Sequence, residues 1–404
     1  MNSFRTFGTI TRSFFCWAVT GYGPDPRSTN AGQPRWQGIT FERRILVCAC
    51  LALTLISLSV ADSQASEKDR VLTVMTRNMD NGTDFGPIFA AQTPSQLVAA
   101  VTTTYAEIQA SNIPERAEAV AKEIDATRPD LVGLQEVFTY RTGPFGGPAT
   151  TVTYDVLQSL LDALARRGLH YAPVAILTNL DAEVPAFDPL SGFFDVRATD
   201  HDVVLARTDL PVSQLKLSTI QAQHFTTIAT FPNPFLGTLD IPRGWIMVEG
   251  KKRGKQFRFV TTHLESLSAA IQAEQAGELL SGPAHTALPV IFAGDFNSDA
   301  QSNDPAQNAA YRILIDAGFT DAWSAIHPGD PGFTWPLHGE DPFTPSAVPY
   351  QRIDLVLTRG QTLPVTVDLI GNQLTDLTPL GLWPSDHAGL VASSIVGEVR
   401  GVNP

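Results

Sequence analysis

Cysteine is almost missing from this chain: there are three in 404 residues (Cys16, Cys48 and Cys50), all near the start. From residue 66 onward there is no thiol, which excludes a disulfide framework, a thiolate zinc site and a cysteine nucleophile there. Basic charge is also scarce, with 28 Lys and Arg against 41 Asp and Glu and a formal charge of -13. The first 65 residues carry six of those basic and three of those acidic side chains, so residues 66–404 hold 22 against 38, a charge of -16. Nucleic-acid binders usually show the opposite sign, because Lys and Arg neutralise phosphate; the deficit counts against tight non-specific binding, though not against bound cations. Long apolar runs are limited to one, Ile45 to Val60, shorter than the roughly 18 residues of a membrane span. Arg43-Arg44 precedes it and Ala-Asp-Ser-Gln-Ala follows, the pattern of a secretory signal cleaved after Ala65, with an uncleaved anchor as the alternative. Residues 1–65 are thus expected to be a leader and residues 66–404 a secreted or periplasmic domain. Fixed-period repeats and low-complexity segments are absent, which excludes a solenoid.

What is present is a series of short apolar runs that end on polar residues. Pro289 to Asn297 reads P-V-I-F-A-G-D-F-N, too short and too rich in strand formers for a helix, so a buried strand is predicted. If Phe296 turns into the core, Asp295 and Asn297 face the other way together, since a strand alternates faces. A carboxylate beside an amide can take a proton from water and steady a developing oxyanion; a strand running into an Asx turn is the plainer reading. Val71–Thr76, Leu131–Leu134, Val203–Ala206, Gly244–Val248, Phe257–Thr262, Ile353–Leu357, Val365–Ile370 and Leu390–Ile395 read as further strands. Helices are expected from Pro114 to Arg128, Tyr154 to Arg167, Ser268 to Leu280 and Pro305 to Ala317, with Gln96–Ala110 helical inside a long connection, residues 81–112. Asn81-Gly82-Thr83 is a glycosylation sequon taken as chance, and Thr199-Asp-His-Asp202 reads as a turn, with a second metal site as the alternative. Interleaved strands and helices predict one α/β domain from about Ser66.

Six strand ends carry residue types suited to catalysis: Asn78, Glu136, His263, Asp295 with Asn297, Asp354, and Asp386 with His387. Each alone has a structural explanation, as a turn residue, a surface acid or a satisfied histidine. Together they argue for convergence, because titratable groups placed repeatedly at the ends of buried strands are costly unless they meet around something charged.

The pieces R-N-M-D, P-D-L-V-G-L-Q-E, T-T-H-L-E, P-V-I-F-A-G-D-F-N, G-F-T-W with R-I-D-L-V-L, and P-S-D-H-A span Asn78 to His387. In that order they resemble the endonuclease/exonuclease/phosphatase superfamily. The resemblance implies a four-layer α/β/β/α sandwich of two mainly antiparallel sheets face to face, helices outside and the site at one rim. It implies a hydrolase that uses Mg²⁺, with Mn²⁺ or Ca²⁺ as alternatives. Glu136 matches the principal ligand of the ion, with Asp80 and Asp386 as further metal-proximal carboxylates. Asp295 matches the residue that aligns or deprotonates the attacking water, Asn78 its orienting partner and Asn297 a transition-state amide donor. His387 with Asp354 resembles the dyad that contacts phosphate, and His263 the histidine near the leaving group. Arg77 stands where an aromatic residue is common; it and Arg207 are candidate phosphate contacts, as are Arg141, Arg243 and Arg352. The expected partner is a phosphoester substrate (nucleic acid, a phospholipid head group or a small phosphodiester), with no protein partner and a monomeric chain. A non-catalytic binding or adhesion module on the same fold is the alternative.

Overall fold

In the computed structural model the described residues are 70–397, apart from residue 236 and residues 340–347; the expected leader lies outside them. No helix among them is long and apolar enough to cross a membrane. The first half of the chain forms β1 (Val71–Asn78), β2 (Leu131–Gln135), β3 (Thr139–Pro144), β4 (Thr151–Asp155), β5 (Tyr171–Asp188) and β6 (Gly192–Arg207). The second half forms β7 (Leu215–His224), β8 (Ala229–Asn233), β9 (Gly237–Ile241), β10 (Gly244–Lys252), β11 (Lys255–His263), β12 (Val290–Asp295), β13 (Thr320–Asp321), β14 (Asp354–Arg359), β15 (Thr362–Ile370) and β16 (Gly389–Val396). One sheet has eight strands in the order β15-β16-β1-β2-β6-β3-β4 with β5 also on β6. The other has six, β13-β14-β12-β11-β10-β7, and β8-β9 is a separate ribbon.

Strand alternation deals the side chains into three apolar layers. In β2, Leu131 faces the opposite sheet while Val132 and Leu134 face helices; in β12, Ile291 and Ala293 face the sheet while Val290 and Phe292 face helices. The layer between the sheets also holds Val74, Val204, Ile246, Phe259 and Val356. Helices α3 (Ile113–Thr127) and α4 (Val156–Arg166) cover the first sheet with Val120, Ile124, Leu160 and Leu164. Helices α5 (Ala269–Ser281) and α6 (Pro305–Asp316) cover the second with Ala276, Leu279, Ala310 and Leu314. The four-layer sandwich is therefore present, with both faces of the central strands buried.

The helix expected at Gln96–Ala110 is present, whereas residues 86–90 and strands β3, β4 and β7 to β9 form elements that the sequence did not show. The connection after β1 folds as α1 (Gly86–Ala90) and α2 (Pro94–Ala110), and Leu97, Val101 and Tyr105 pack on Ala186 and Val196 of the β5–β6 hairpin. That hairpin is far longer than the predicted Val203–Ala206, because its outer half gains its order from long-range partners that a local window does not contain. Thr199–Asp202 accordingly lies inside β6 and is no turn.

Candidate active site

Strand polarity builds the site. β1 with β2, and β11 with β12, are parallel pairs, so Asn78, Gln135, His263 and Asp295 all stand at carboxyl ends. β14 and β16 run antiparallel to their neighbours and begin at the same rim, which brings in Asp354 and the loop carrying Asp386 and His387. In the second sheet the register aligns Gly244, His263, Asp295 and Asp354 in one row across four strands. Gly294 allows β12 to approach β11 closely; a Cβ there would lie 2.2 Å from the Thr262 carbonyl oxygen. Phe296 is buried in the helix-facing core, so Asp295 and Asn297 on either side of it both line the pocket. Glu136 (φ 56°), Asn297 (φ 48°) and Asp80 (φ 56°) hold left-handed backbone conformations, a local strain that native packing sustains mostly at functional positions.

The two sheets meet through Asn78. Its amide donates to Glu136 Oε1 at 3.0 Å and to Asp295 Oδ2 at 3.2 Å. Glu136 Oε2 accepts from both the backbone and side-chain nitrogens of Asn81, at 3.0 and 3.1 Å, so the sequon asparagine spends its amide on a site carboxylate. His387 Nδ1 donates to Asp354 Oδ2 at 2.8 Å, and its Nε2 lies 3.9 Å from Asp295 Oδ2 and 3.8 Å from Asp386 Oδ2. His263 Nε2 lies 3.6 Å from the same Asp295 oxygen. Asn297 donates to the Leu264 carbonyl at 3.0 Å. Glu136, His263, Asp295, Asn297, Asp386 and His387 border an open pocket of about 610 Å³ that also takes in Arg243 and Trp335.

The electrostatics follow from burial and crowding. Burial, then the nearby Asp386 and Asp80, push the Glu136 carboxyl up to about 7. Burial and the Asp354 charge raise Asp295 to about 6 against the opposing pull of His387. Burial acts to discharge His387, yet Asp354, Asp386 and Asp295 outweigh it and hold the imidazole well above its ordinary value. His263 has no such carboxylate at Nδ1; burial and the charges of Arg243 and His387 hold it well below. Ligand atoms of Asp295, Asp354 and His387 lie within 4.8 Å of one another, but the 2.8 Å hydrogen bond makes the last two an acid–base dyad.

For a divalent cation the fit is at Glu136 and Asp386. Both line the pocket, both offer hard oxygen donors, and the elevated Glu136 carboxyl marks a place where negative charge lacks a counter-ion. Asp80 stands near enough to raise the Glu136 carboxyl but is itself paired. Burial acts to raise its carboxyl, but Arg116 at 3.4 Å and His338 at 3.3 Å hold it below the usual carboxylate range. Its charge is thus already countered by two protein cations.

Among the arginines, the phosphate-contact expectation fails for Arg77 and Arg207. Arg77 is fully buried, pairs with Glu123 at 3.0 Å and donates to the His387 carbonyl, so it anchors the His387 loop. Arg207 lies at the far end of β6, beside the start of β2, and pairs with Asp209 at 2.6 Å. Arg352 is buried on Asp321 at 2.7 Å, and Arg141 donates to Thr199. Arg243 does reach the pocket. Sequence reasoning assigned nothing to Trp335, whose Nε1 donates to Asp386 Oδ2 at 3.1 Å, or to Arg116 and His338. Arg116 did carry a signal: a cation on the apolar stripe of α3 calls for a buried partner.

A four-layer sandwich whose rim joins a histidine–aspartate dyad, a second histidine and paired carboxylates has the make-up of a metal-dependent phosphoester hydrolase. A model of the Endonuclease/Exonuclease/phosphatase family matches residues 108–387, more than half of the chain, and the chain belongs to that family. Members of the family are metal-dependent hydrolases of phosphoric esters, and this chain is an enzyme of that class. No curated protein matches it. Similar solved structures include Danio rerio TDP2 complexed with single-strand DNA product, 18% identical over 80% of this chain and 98% of that one, with a TM-score of 0.47. A family protein from Bacteroides thetaiotaomicron is 17% identical over 81% and 98%, also with a TM-score of 0.47. A mannosyl-6-phosphatase from the same organism is 16% identical over 80% and 99%, with a TM-score of 0.45.

Proposed function

We propose that this chain is an exported phosphodiesterase that uses Mg²⁺, with Asp295 as the base that activates water. The observation that carries the reading is the position of Asp295 Oδ2. It receives the Asn78 amide at 3.2 Å and faces His263 Nε2 and His387 Nε2 at 3.6 and 3.9 Å, on the wall of an open pocket. A carboxyl raised to about 6 is ionised at neutral pH yet a better proton acceptor than an ordinary aspartate. Asn78 bridges Asp295 to Glu136 and so sets the base against the ion-binding carboxylates. When bound at Glu136 and Asp386, the ion would offset charge on the phosphoryl oxygens. Asp354 fixes the His387 ring so that Nε2 faces the phosphoryl group, and Asn297 supports the backbone turn beside the base through its hydrogen bond to Asp295 Oδ1 at 2.9 Å. Export is supported by the basic flank, short apolar run and small-residue exit at residues 43–65.

The test is one panel: bis-p-nitrophenyl phosphate, plasmid DNA, sphingomyelin and inositol phosphates, each with Mg²⁺ and with EDTA. Release of p-nitrophenol that EDTA abolishes is expected, and the remaining substrates assign the specificity. Silence of folded protein across the panel would favour a binding module.

A further inference from the structure

The site holds two buried histidines that face one carboxylate oxygen but carry opposite partners on their far nitrogens. His387 Nδ1 meets the Asp354 carboxylate at 2.8 Å; His263 Nδ1 meets Arg243 Nη1, also at 2.8 Å. A guanidinium has five N–H donors, no acceptor, and keeps its charge at any pH a folded protein experiences. His263 Nδ1 must therefore accept, and the ring's single proton sits on Nε2, the nitrogen that faces Asp295 and the pocket. We infer that Arg243 is a positioning residue that locks His263 as a neutral Nε2–H donor.

The fold supplies this contact by register. Gly244 opens β10 opposite His263, so Arg243, one position earlier, stands beside the ring. Behind the guanidinium, Asp200 lies 3.8 Å from Nη1, and Asn179 ties Asp200 to Asp202. The carboxylate here thus holds the arginine and leaves the histidine alone. The groups that face His263 are Arg243, Asp295 and, across Asp295, His387. Two of the three are cations, and the burial of the ring acts in the same direction. When neighbours drive two titratable groups apart in this way, the roles of acid and neutral donor separate.

The inference rests on the phosphodiesterase reading for its chemical meaning. Water gives a proton to Asp295 as its oxygen bonds to phosphorus. The bond from phosphorus to the leaving oxygen breaks, and that oxygen takes a proton from solvent. His263 contributes a hydrogen bond throughout and exchanges no proton; losing its one N–H would leave an imidazolate. Solvent then removes the proton from Asp295.

The experiment is long-range ¹H–¹⁵N spectroscopy of the full chain labelled at histidine, with the His263 signals identified by their loss in His263→Asn. This readout does not depend on turnover, so it can fail while the phosphodiesterase reading stands, and the reverse. In the wild type, His263 should show Nε2 protonated and Nδ1 bare, with no titration between pH 5 and 8. Arg243→Met should release Nδ1, giving mixed tautomers, and Arg243→Lys should restore the single tautomer. A proton on Nδ1 in the wild type, or an Arg243→Met spectrum unchanged from it, would overturn the inference. The wild-type spectrum alone decides the point if the methionine variant does not fold. A kinetic arm uses paired phosphodiesters with a nitrophenolate and an alkoxide leaving group. The loss in His263→Asn should be equal for both; a larger loss for the alkoxide ester would also overturn it.

Discussion

Replacing Glu136 by glutamine tests the ion site without assaying turnover. Glu136 is held at about 7 against an ordinary 4.5 by burial and by Asp386 and Asp80. An acid whose folded value is raised binds protons more tightly when folded. Its contribution is therefore present in full below 4.5 and is lost as pH rises to about 7. The interval corresponds to roughly 3 kcal/mol, and solvent contact with part of the side chain reduces it to about 1–3 kcal/mol. Asp295, raised to about 6, adds a loss of the same sign over a narrower window. In metal-free protein, Tm should fall by a few degrees from pH 5 to 7.5, beyond the fall seen in Glu136→Gln. Mg²⁺ should reverse that fall at pH 7.5 and do little at pH 5, because a protonated carboxyl is a poor ligand. At one hundred times its Kd an ion confined to the folded state contributes about 2.7 kcal/mol. Differential scanning fluorimetry of both proteins at the two pH values, with Mg²⁺ and with EDTA, is sufficient. Parallel Tm–pH curves with equal Mg²⁺ shifts would refute the reasoning.

Asp295→Asn and His387→Ala should each reduce kcat by about 10²–10⁴ with Tm little changed, as expected for a lost base and a lost proton donor; steady-state kinetics on bis-p-nitrophenyl phosphate measure this, and near-normal rates in both would remove the site assignment. The acid limb of kcat/KM in the wild type should fall near pH 6, following Asp295; a flat profile from pH 5 to 8 would contradict its role as base. Phe296→Ala removes a fully buried ring from the helix-facing core and should cost about 3–5 kcal/mol in urea unfolding; a cost below about 1 kcal/mol would mean the ring does not anchor the turn that aims Asp295. Arg207→Ala should keep wild-type kcat/KM and lose about 0–1 kcal/mol of stability with its Asp209 partner; a large rise in KM would reinstate it as a substrate contact.

Much of the site was legible because the relevant signals are local. The apolar run Val290–Ala293 ends on Asp295 within a few residues, and Phe296 reports the face on which its neighbours lie. Asn78, Glu136 and His263 are each tied in the same way to the strand they terminate. The arginines were not legible, because charge and spacing are the same whether a guanidinium meets phosphate or a buried carboxylate. Arg77 reaches Glu123 and Arg352 reaches Asp321 only across packed elements. The pairing of Asp80 with Arg116 and His338 was likewise invisible in the sequence.

Sequence by itself determined the class of chemistry, the order of the strand-end residues and the alternation that divides them between core and rim, since these depend on a few bonded neighbours. Tertiary structure decided which charges face one another. Parallel pairing of β1 with β2 and β11 with β12, and the register that sets Gly244 opposite His263, placed a carboxylate behind one imidazole and a guanidinium behind the other. Proton affinity depends on distances of a few ångströms between residues far apart in the chain, so only the assembled backbone could assign opposite states to two chemically identical rings.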